Sequence, residues 1–433
     1  MARDVKAEKL PQTLLLKNVR LLDLIHKSDQ VVDILIADGR YVRIGKCDDP
    51  TDRVIDLSGK IVTHGLMDMH VHLREPGRED KETVWTGANA AMVGGFTAIA
   101  CMPNTTPPID TADTVQYVKH KAQGHLVDVH PVGCVTKGRE GKELAEIGSL
   151  VEAGAVGITD DGDPVYNAEI MRRALEYVKM FNIPVIEHAE DKQLSNRGSM
   201  NEGFTSTRLG LRGIPSISEE VIVARDILLS EYTDAPVHIA HISTGGTVRL
   251  VRQAKQRGLK VTCEVCPHHF TLTDEAVENY NTFAKMNPPL RTSADIEEIK
   301  LGLQDGTIDI IATDHAPHTI EDKECTMDEA SFGITGLETC VGITLNDLVH
   351  KSVISLESAL YKLSIAPRKL LHLPLPEFII GAQANLTILD TEMRWKYDVH
   401  QTCSKSINTP YHDYAMKGKA VGVIHNGKIF YAS

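Results

Sequence analysis

Two hydrophobic periods divide this chain into three stretches. From 13 to 62 apolar residues recur at about every second position in short runs broken by turns: Leu14-Leu-Leu-Lys-Asn-Val-Arg-Leu-Leu, Val31-Val-Asp-Ile-Leu-Ile before the Asp38-Gly39 turn, Tyr41-Val-Arg-Ile and Arg53-Val-Ile-Asp-Leu. Successive side chains of a strand point to opposite faces, so this pattern, with an Asp-Gly turn inside it, predicts an antiparallel β unit. The C-terminal end has the same character in Ala384-Asn-Leu-Thr-Ile-Leu, Lys419-Ala-Val-Gly-Val-Ile-His and Lys428-Ile-Phe-Tyr, with Asn426-Gly427 as a hairpin signal. A small β-sandwich built from both termini, residues 1–61 and 376–433, is the economical arrangement.

Between them, over 62–375, the pattern changes to alternating strand and helix. Strands are expected around His70 and at 96–102, 127–132, 156–159, 184–188, 237–241, 261–265 and 308–313, with helices at 111–123, 143–153, 167–181, 217–230, 245–257 and 293–304. Strand-helix alternation means a parallel sheet, and eight units predict a closed TIM-like (β/α)8 barrel rather than an open doubly wound sheet. No Gly-x-Gly-x-x-Gly or Walker-type loop opens any of these helices, which disfavours a nucleotide fold. At 433 residues the chain exceeds the size at which a single core stops growing, in keeping with a barrel plus an appendage.

The expected strand ends carry His70 and His72, then Asn104, Asp160 and Asp161, His188, His241, and Asp314 with His315 and His318. Residues i and i+2 of a strand share a face, so His70 and His72 can reach one metal ion; read alone, they are equally well two polar residues on a solvated face. Taken singly, His188 and His241 read as hydrogen-bonded polar residues. As an ordered set at the C-terminal ends of barrel strands, where such barrels build their active sites, the histidines and carboxylates describe a metal centre. Imidazole with carboxylate suits Zn²⁺.

A net charge of −13 and a pI near 5.8 argue against nucleic acid or an anionic membrane as partner. A small anionic substrate is still admissible, because Arg74, two residues after His72, can bind a carboxylate bidentately. The eight cysteines are scattered, without the density of a disulfide scaffold, which fits a reducing cytoplasm. No apolar run of about 18 residues occurs and no apolar segment follows the charged N-terminus, so a soluble, unsecreted protein is expected.

These residues carry a resemblance. His70-Val-His72-Leu-Arg74-Glu-Pro-Gly77, Met102-Pro-Asn104-Thr, Asp160-Asp-Gly162, Glu187-His188-Ala-Glu-Asp191, Ala240-His241-Ile-Ser-Thr244, Met286-Asn287-Pro-Pro-Leu-Arg291, Asp314-His-Ala-Pro-His318, Phe332-Gly-Ile-Thr-Gly-Leu-Glu338 and Ser404-Lys-Ser-Ile-Asn-Thr-Pro410 resemble dihydroorotase of the larger, class I type, within the metal-dependent amidohydrolase superfamily. The resemblance implies one or two Zn²⁺ ions per chain, with His70, His72 and Asp314 on the more buried one, His188 and His241 on the second, and Asp161 touching or bridging both. It implies reversible closure of N-carbamoyl-L-aspartate to dihydroorotate in pyrimidine synthesis. In hydrolysis the metals would lower the pKa of a bound water, and Asp314 would move its proton to the leaving nitrogen. Arg74, Asn104, Asn287 and His318 match the family's substrate contacts, and Gly333 the backbone that meets the ring. Without that match Asn104 reads as an Asx-turn residue beside Pro103. A homo-oligomer and a complex with aspartate transcarbamoylase are the expected assemblies.

Departures from the family pattern bear on the expectation. Cys263-Glu-Val-Cys266-Pro-His-His269 replaces a strand end that normally reads Thr-Pro-His-His; both cysteines are expected to be barrel packing. Ser331 stands where the family's Ala-Pro-Phe-Gly has proline, which loosens the expected ring-binding backbone. His64 and His315 receive no role, and Arg291 is left out of the site. Hydantoinases, dihydropyrimidinases and allantoinases share the barrel but generally bridge their metals with a carboxylated lysine; no lysine lies in 153–163, where Asp161 can bridge instead. A catalytically silent scaffold for aspartate transcarbamoylase is the alternative outside catalysis, and the intact ligand set speaks against it.

Overall fold

The computed structural model describes residue 3 and residues 5–432. Its centre is a closed parallel barrel. Strand Leu66–Val71 pairs with Phe96–Cys101, and that with Asp128–Pro131. Ile158 bridges Gly133 on one side and Val185 on the other. Strands Val185–Glu187, Val237–Ile239, Val261–Val265 and Ile310–Ile311 follow in order. The circle closes where Val71 bridges His315 and the His72 N–H donates to the His315 carbonyl at 2.8 Å. The eight expected strands are therefore all in place. That at 156–159 shrinks to a single bridge residue, held by Ile158 N–H to Pro184 O (3.1 Å) and Ile186 N–H to Ile158 O (2.9 Å).

Two apolar layers follow from the alternation of faces. Met67, Met69, Ala98, Ala100, Ile186 and Ala312 belong to a buried cluster that fills the barrel. A larger cluster, with Ile99, Cys101, Val115, Val118 and Leu175 among its members, lies between strands and helices. Helix boundaries moved for local reasons. The helix expected over 143–153 starts at Ile147, because the preceding residues pair with the chain before them: Lys137 N–H to Glu143 O, Ala145 N–H to Val135 O, both 2.9 Å. That expected from 167 starts at Ala168, with the Asn167 side chain accepting the Glu169 and Ile170 N–H groups as its cap. Helices Val84–Gly94 and Leu356–Leu370 were not anticipated.

The termini meet in one hydrogen-bonded sheet of nine strands among the described residues. Strand Ile61–His64 lies at its middle, parallel to Thr13–Asp23 and antiparallel to Leu386–Lys396. Leu14, Leu16 and Ile34 from the N-terminal half share a buried core with Leu386, Ile388 and Val421 from the C-terminal half, so the sheet folds over a common interior. The expected Asn426-Gly427 hairpin joins Ala415–His425 to Lys428–Tyr431. His64, which had no role in the sequence, accepts the Leu24 N–H at Nε2 (3.1 Å) and donates from Nδ1 to Pro376 O (2.6 Å). No described helix is long and apolar enough to cross a membrane.

Candidate active site

The C-terminal ends of the barrel strands converge on a cleft of about 520 Å³, and every expected site residue except His70 lines it: His72, Arg74, Asn104, Asp161, His188, His241, Asn287, Asp314, His318 and Gly333. His70 lies fully buried beneath. Asp161 stands at the centre of the four histidines. Its Oδ1 is 3.4 Å from His70 Nε2, 3.4 Å from His241 Nε2 and 3.6 Å from His188 Nδ1, and its Oδ2 is 3.5 Å from His72 Nε2. Asp314 Oδ1 faces His72 Nε2 at 2.9 Å and His70 Nε2 at 3.6 Å. The neighbouring aspartate is a brace: Asp160 accepts the Val135 and Thr136 N–H groups at 2.9 and 3.0 Å.

This donor set fits a cation. His70 Nε2 and Asp161 Oδ1 are buried without hydrogen-bond partners, which is costly unless an ion completes them. His70 with His72 and Asp314, and His70 with Asp161 and His241, each place three donor atoms within 4.8 Å of one another. The electrostatics agree. Against the penalty of burial, the histidines around it hold Asp161 well below the ordinary carboxylate range, and Asp161 with Glu264 raises His70 well above the ordinary imidazole value. Burial would lower His188 too, but Asp161 and Glu190 raise it to about 9. Protons thus occupy the positions a divalent ion competes for.

Three side chains turn the histidines toward the centre by engaging their other nitrogen. His70 Nδ1 donates to Glu264 Oε1 at 2.5 Å, His72 Nδ1 to Asn104 Oδ1 at 2.8 Å and His188 Nε2 to Glu190 Oε2 at 3.2 Å. Sequence reasoning missed Glu264 and Glu190, although a carboxylate inside the apolar run Val261-Thr-Cys-Glu-Val was a signal. Asn287 donates to the same Glu190 oxygen at 3.0 Å, so His188 is linked through Glu190 to another residue of the cleft wall.

The cationic side of the cleft is built from Arg74, whose guanidinium donates to Pro317 O (3.2 Å) and stands 3.3 Å from His318 Nε2. Among the described residues it forms no ion pair, and burial lowers it to about 10. His318 is held at both nitrogens, by Lys81 Nζ at Nδ1 (3.0 Å) and by Phe332 O at Nε2 (2.8 Å). Gly333 has φ +122°, and a Cβ there would come within 2.5 Å of Ala316 Cβ. Its N–H goes to Lys285 O (3.0 Å) and its carbonyl accepts from Lys323 Nζ (3.1 Å) and Asn408 Nδ2 (3.0 Å), so what it gives the cleft is the absence of a side chain.

The Ser404–Pro410 motif straps these loops. Asn408 Oδ1 accepts the His318 N–H at 2.9 Å, and Nδ2 reaches Ala316 O at 2.9 Å as well as Gly333. The Ser331 loop is not slack: Ser331 N–H donates to Asp322 O at 2.9 Å, a bond proline cannot make, and Lys323 Nζ grips Ser331 O at 2.7 Å. His315 ties Glu82 (3.3 Å) to the Gly336 N–H (3.2 Å), and Arg291 is a buried brace to Asn201 and Ile214 O. Cys263 is buried, its thiol directed at Thr307 O. Cys266 is also buried but less plainly packing, since it, His268 and His269 bring donor atoms within 4.8 Å of one another.

Comparisons with known proteins agree with this geometry. A family profile described as dihydro-orotase-like matches residues 59–246. The dihydroorotase of Pelobacter propionicus is 49% identical over 421 residues, covering 96% of this chain and 99% of its own. That of Citrifermentans bemidjiense is 50% identical with the same coverage, and that of Endomicrobium trichonymphae 50% identical over 96% of this chain and 98% of its own. Among solved structures, an L-hydantoinase from Arthrobacter aurescens superimposes with a TM-score of 0.85 at 26% identity, covering 96% of this chain and 95% of that one. A dihydropyrimidinase from Brevibacillus agri, at 21% identity, TM-score 0.83 and coverage of 96% and 94%, shares the fold. The chain is a metal-dependent cyclic amidohydrolase and belongs to the dihydroorotase family.

Proposed function

We propose that the chain interconverts N-carbamoyl-L-aspartate and (S)-dihydroorotate in pyrimidine biosynthesis in the cytoplasm, with Zn²⁺ as its metal. The observation that carries this reading is a half-buried, ion-pair-free Arg74 beside a four-histidine, two-aspartate cluster: a carboxylate-bearing cyclic amide satisfies both at once. His70, His72 and Asp314 would hold one ion, and His188 and His241 the other, with Asp161 between them. Bound there, the ions supply Lewis acidity that activates water and polarises the ring amide carbonyl. Arg74 pairs with the substrate carboxylate, and Asn104 and Asn287 orient the ring. Asp314, held ionised by His72 and His70 against the cost of burial, takes a proton from water as its oxygen adds to the carbonyl carbon. As the C–N bond breaks, Asp314 returns that proton to the departing nitrogen. Cyclisation runs the same transfers backwards and releases one water.

Hydantoins are the competing substrates, given the structural neighbours. Asp161 stands among the four histidines, and a hydantoin lacking a carboxylate leaves Arg74 unpaired. Steady-state turnover of dihydroorotate against hydantoin, allantoin and dihydrouracil tests the reading. A dihydroorotate preference of at least about 10³ in kcat/KM, collapsing in Arg74→Ala, is expected; equal turnover of dihydrouracil overturns it. We take 62–375 as the catalytic domain and 1–61 with 376–433 as a composite β domain. A homo-oligomer, and association with aspartate transcarbamoylase, complete the proposal; solution mass with and without that partner reads both.

A further inference from the structure

Four histidines buried outside the catalytic centre, His64, His125, His315 and His318, engage both ring nitrogens, as burial of an imidazole requires. His268 and His269 do not. Each is 2% exposed, on the single turn Pro267–Thr271 that follows strand Val261–Val265 and has Cys266 as its cap. Among the described residues the His268 ring makes no hydrogen bond, and its Nε2 is sealed from solvent. His269 donates from Nε2 to Pro288 O at 3.0 Å, so its Nδ1 carries a lone pair that is buried and meets no donor.

Cys266 completes the group. Its thiol is buried and, among the described residues, forms no S–H···N bond to either ring. Yet Cys266, His268 and His269 each bring one donor atom within 4.8 Å of the others, as the two triplets of the catalytic centre do. Around a tetrahedral zinc ion, with Zn–S about 2.3 Å and Zn–N about 2.0–2.1 Å, such atoms stand roughly 3.5 Å apart, so side-chain rotations that close about an ångström suffice. None of the three residues lines the cleft. Burial holds His268 well below the ordinary imidazole value and His269 down to about 3, and it pushes the Cys266 thiol well above its usual range. Both rings are therefore neutral donors of a lone pair, and the thiolate forms only with a cation beside it.

We propose that Cys266, His268 and His269 form a structural metal site of their own, which takes one thiophilic ion, Zn²⁺, on a thiolate and two imidazoles. This soft donor set selects such an ion over magnesium or calcium. The ion supplies the partner that both rings lack. It also has a place in the architecture, because Cys266 ends the strand whose Glu264 holds His70, and His269 reaches the carbonyl of Pro288, next to Asn287 of the cleft. One ion thus pins a barrel strand to the cleft wall.

The test uses the full chain in a Cys325→Ser background, which removes the exposed thiol. Cys266→Thr, carrying the residue usual at this place in the family, is the first variant, and His268→Gln the second. Metal content by mass spectrometry is expected to fall by one zinc ion per chain in either variant, with cyclisation of N-carbamoyl-L-aspartate retained. Protein produced with Co²⁺ in place of zinc gives the sharper reading. A thiolate bound to Co²⁺ absorbs strongly in the near ultraviolet, and the proposed catalytic ligands include no sulfur, so the band reports on this site alone. It should be present in the parent protein and absent from Cys266→Thr. Equal metal content in parent and Cys266→Thr, or a cobalt protein without the band, overturns this site and leaves the catalytic reading standing; a protein that binds no metal overturns both. Where Cys266→Thr does not accumulate, the band in the parent and its loss from His268→Gln decide.

Discussion

At the scale of single residues, the candidate centre depends on side chains that touch no substrate. Glu264 holds His70 by its Nδ1, which leaves Nε2 facing Asp161. Glu264→Gln is expected to weaken metal binding by about 10- to 100-fold with the fold intact, read by competition with a chelator; unchanged affinity contradicts the role. The protonation of the cation-free site gives a second prediction. His188, raised to about 9, and His70 release protons as metal binds, so affinity should rise with pH up to that value. Calorimetry in buffers of different ionisation enthalpy reads the number released, and zero contradicts it. The residues that converge on the candidate centre were legible in the sequence because each is a polar residue at the end of an apolar run. Glu264 and Glu190 were not, because a single carboxylate gives no spacing from which its partner can be read.

At the scale of elements, joints and straps matter more than any one strand. Gly65 carries the chain from the terminal sheet into the barrel, and its carbonyl accepts from Arg368 (2.7 Å) and Ser364 (2.9 Å). A Cβ there would collide with the Asn385 and Thr97 side chains, so Gly65→Ala is expected to cost about 3 kcal/mol in denaturant unfolding. The Asn408 strap has a kinetic signature. Asn408→Asp keeps the acceptor for the His318 N–H but turns an oxygen toward the Ala316 and Gly333 carbonyls. KM for dihydroorotate should rise about tenfold, with metal content unchanged; Ser406→Ala, in the same strap but bonded to Lys81 O, is the control. The strap's sequence was recognisable, its contacts with two distant loops were not. Helix Val84–Gly94 escaped the periodicity for another reason: Gly87 through Met92 are all buried, so it has no polar face. Period-two and strand-helix alternation, by contrast, are local consequences of one-sided and two-sided burial, which is why both halves of the architecture could be read.

For the whole molecule, stability couples to pH through histidines far from the cleft. His125 accepts the Val127 N–H at Nδ1 (2.9 Å) and pairs with Asn89 Oδ1 at Nε2 (3.0 Å). Burial, with Lys428 adding, lowers it from 6.5 to about 4, and burial lowers His130 to about 4. The unfolded chain therefore binds more protons between those values, and stability falls as pH drops from 6.5 toward 4. Urea midpoints across that range should decline, and His125→Gln should flatten the slope; an unchanged slope contradicts the assignment. The chemistry that the barrel assembles is the metal-dependent opening and closure of a cyclic amide. Its most direct test is metal content measured together with cyclisation of N-carbamoyl-L-aspartate, in wild type and in Asp314→Ala. One or two zinc ions at the catalytic centre and turnover are expected in the wild type, with turnover lost in the variant; a wild type that binds no metal, or a variant that cyclises at the wild-type rate, contradicts the proposed function.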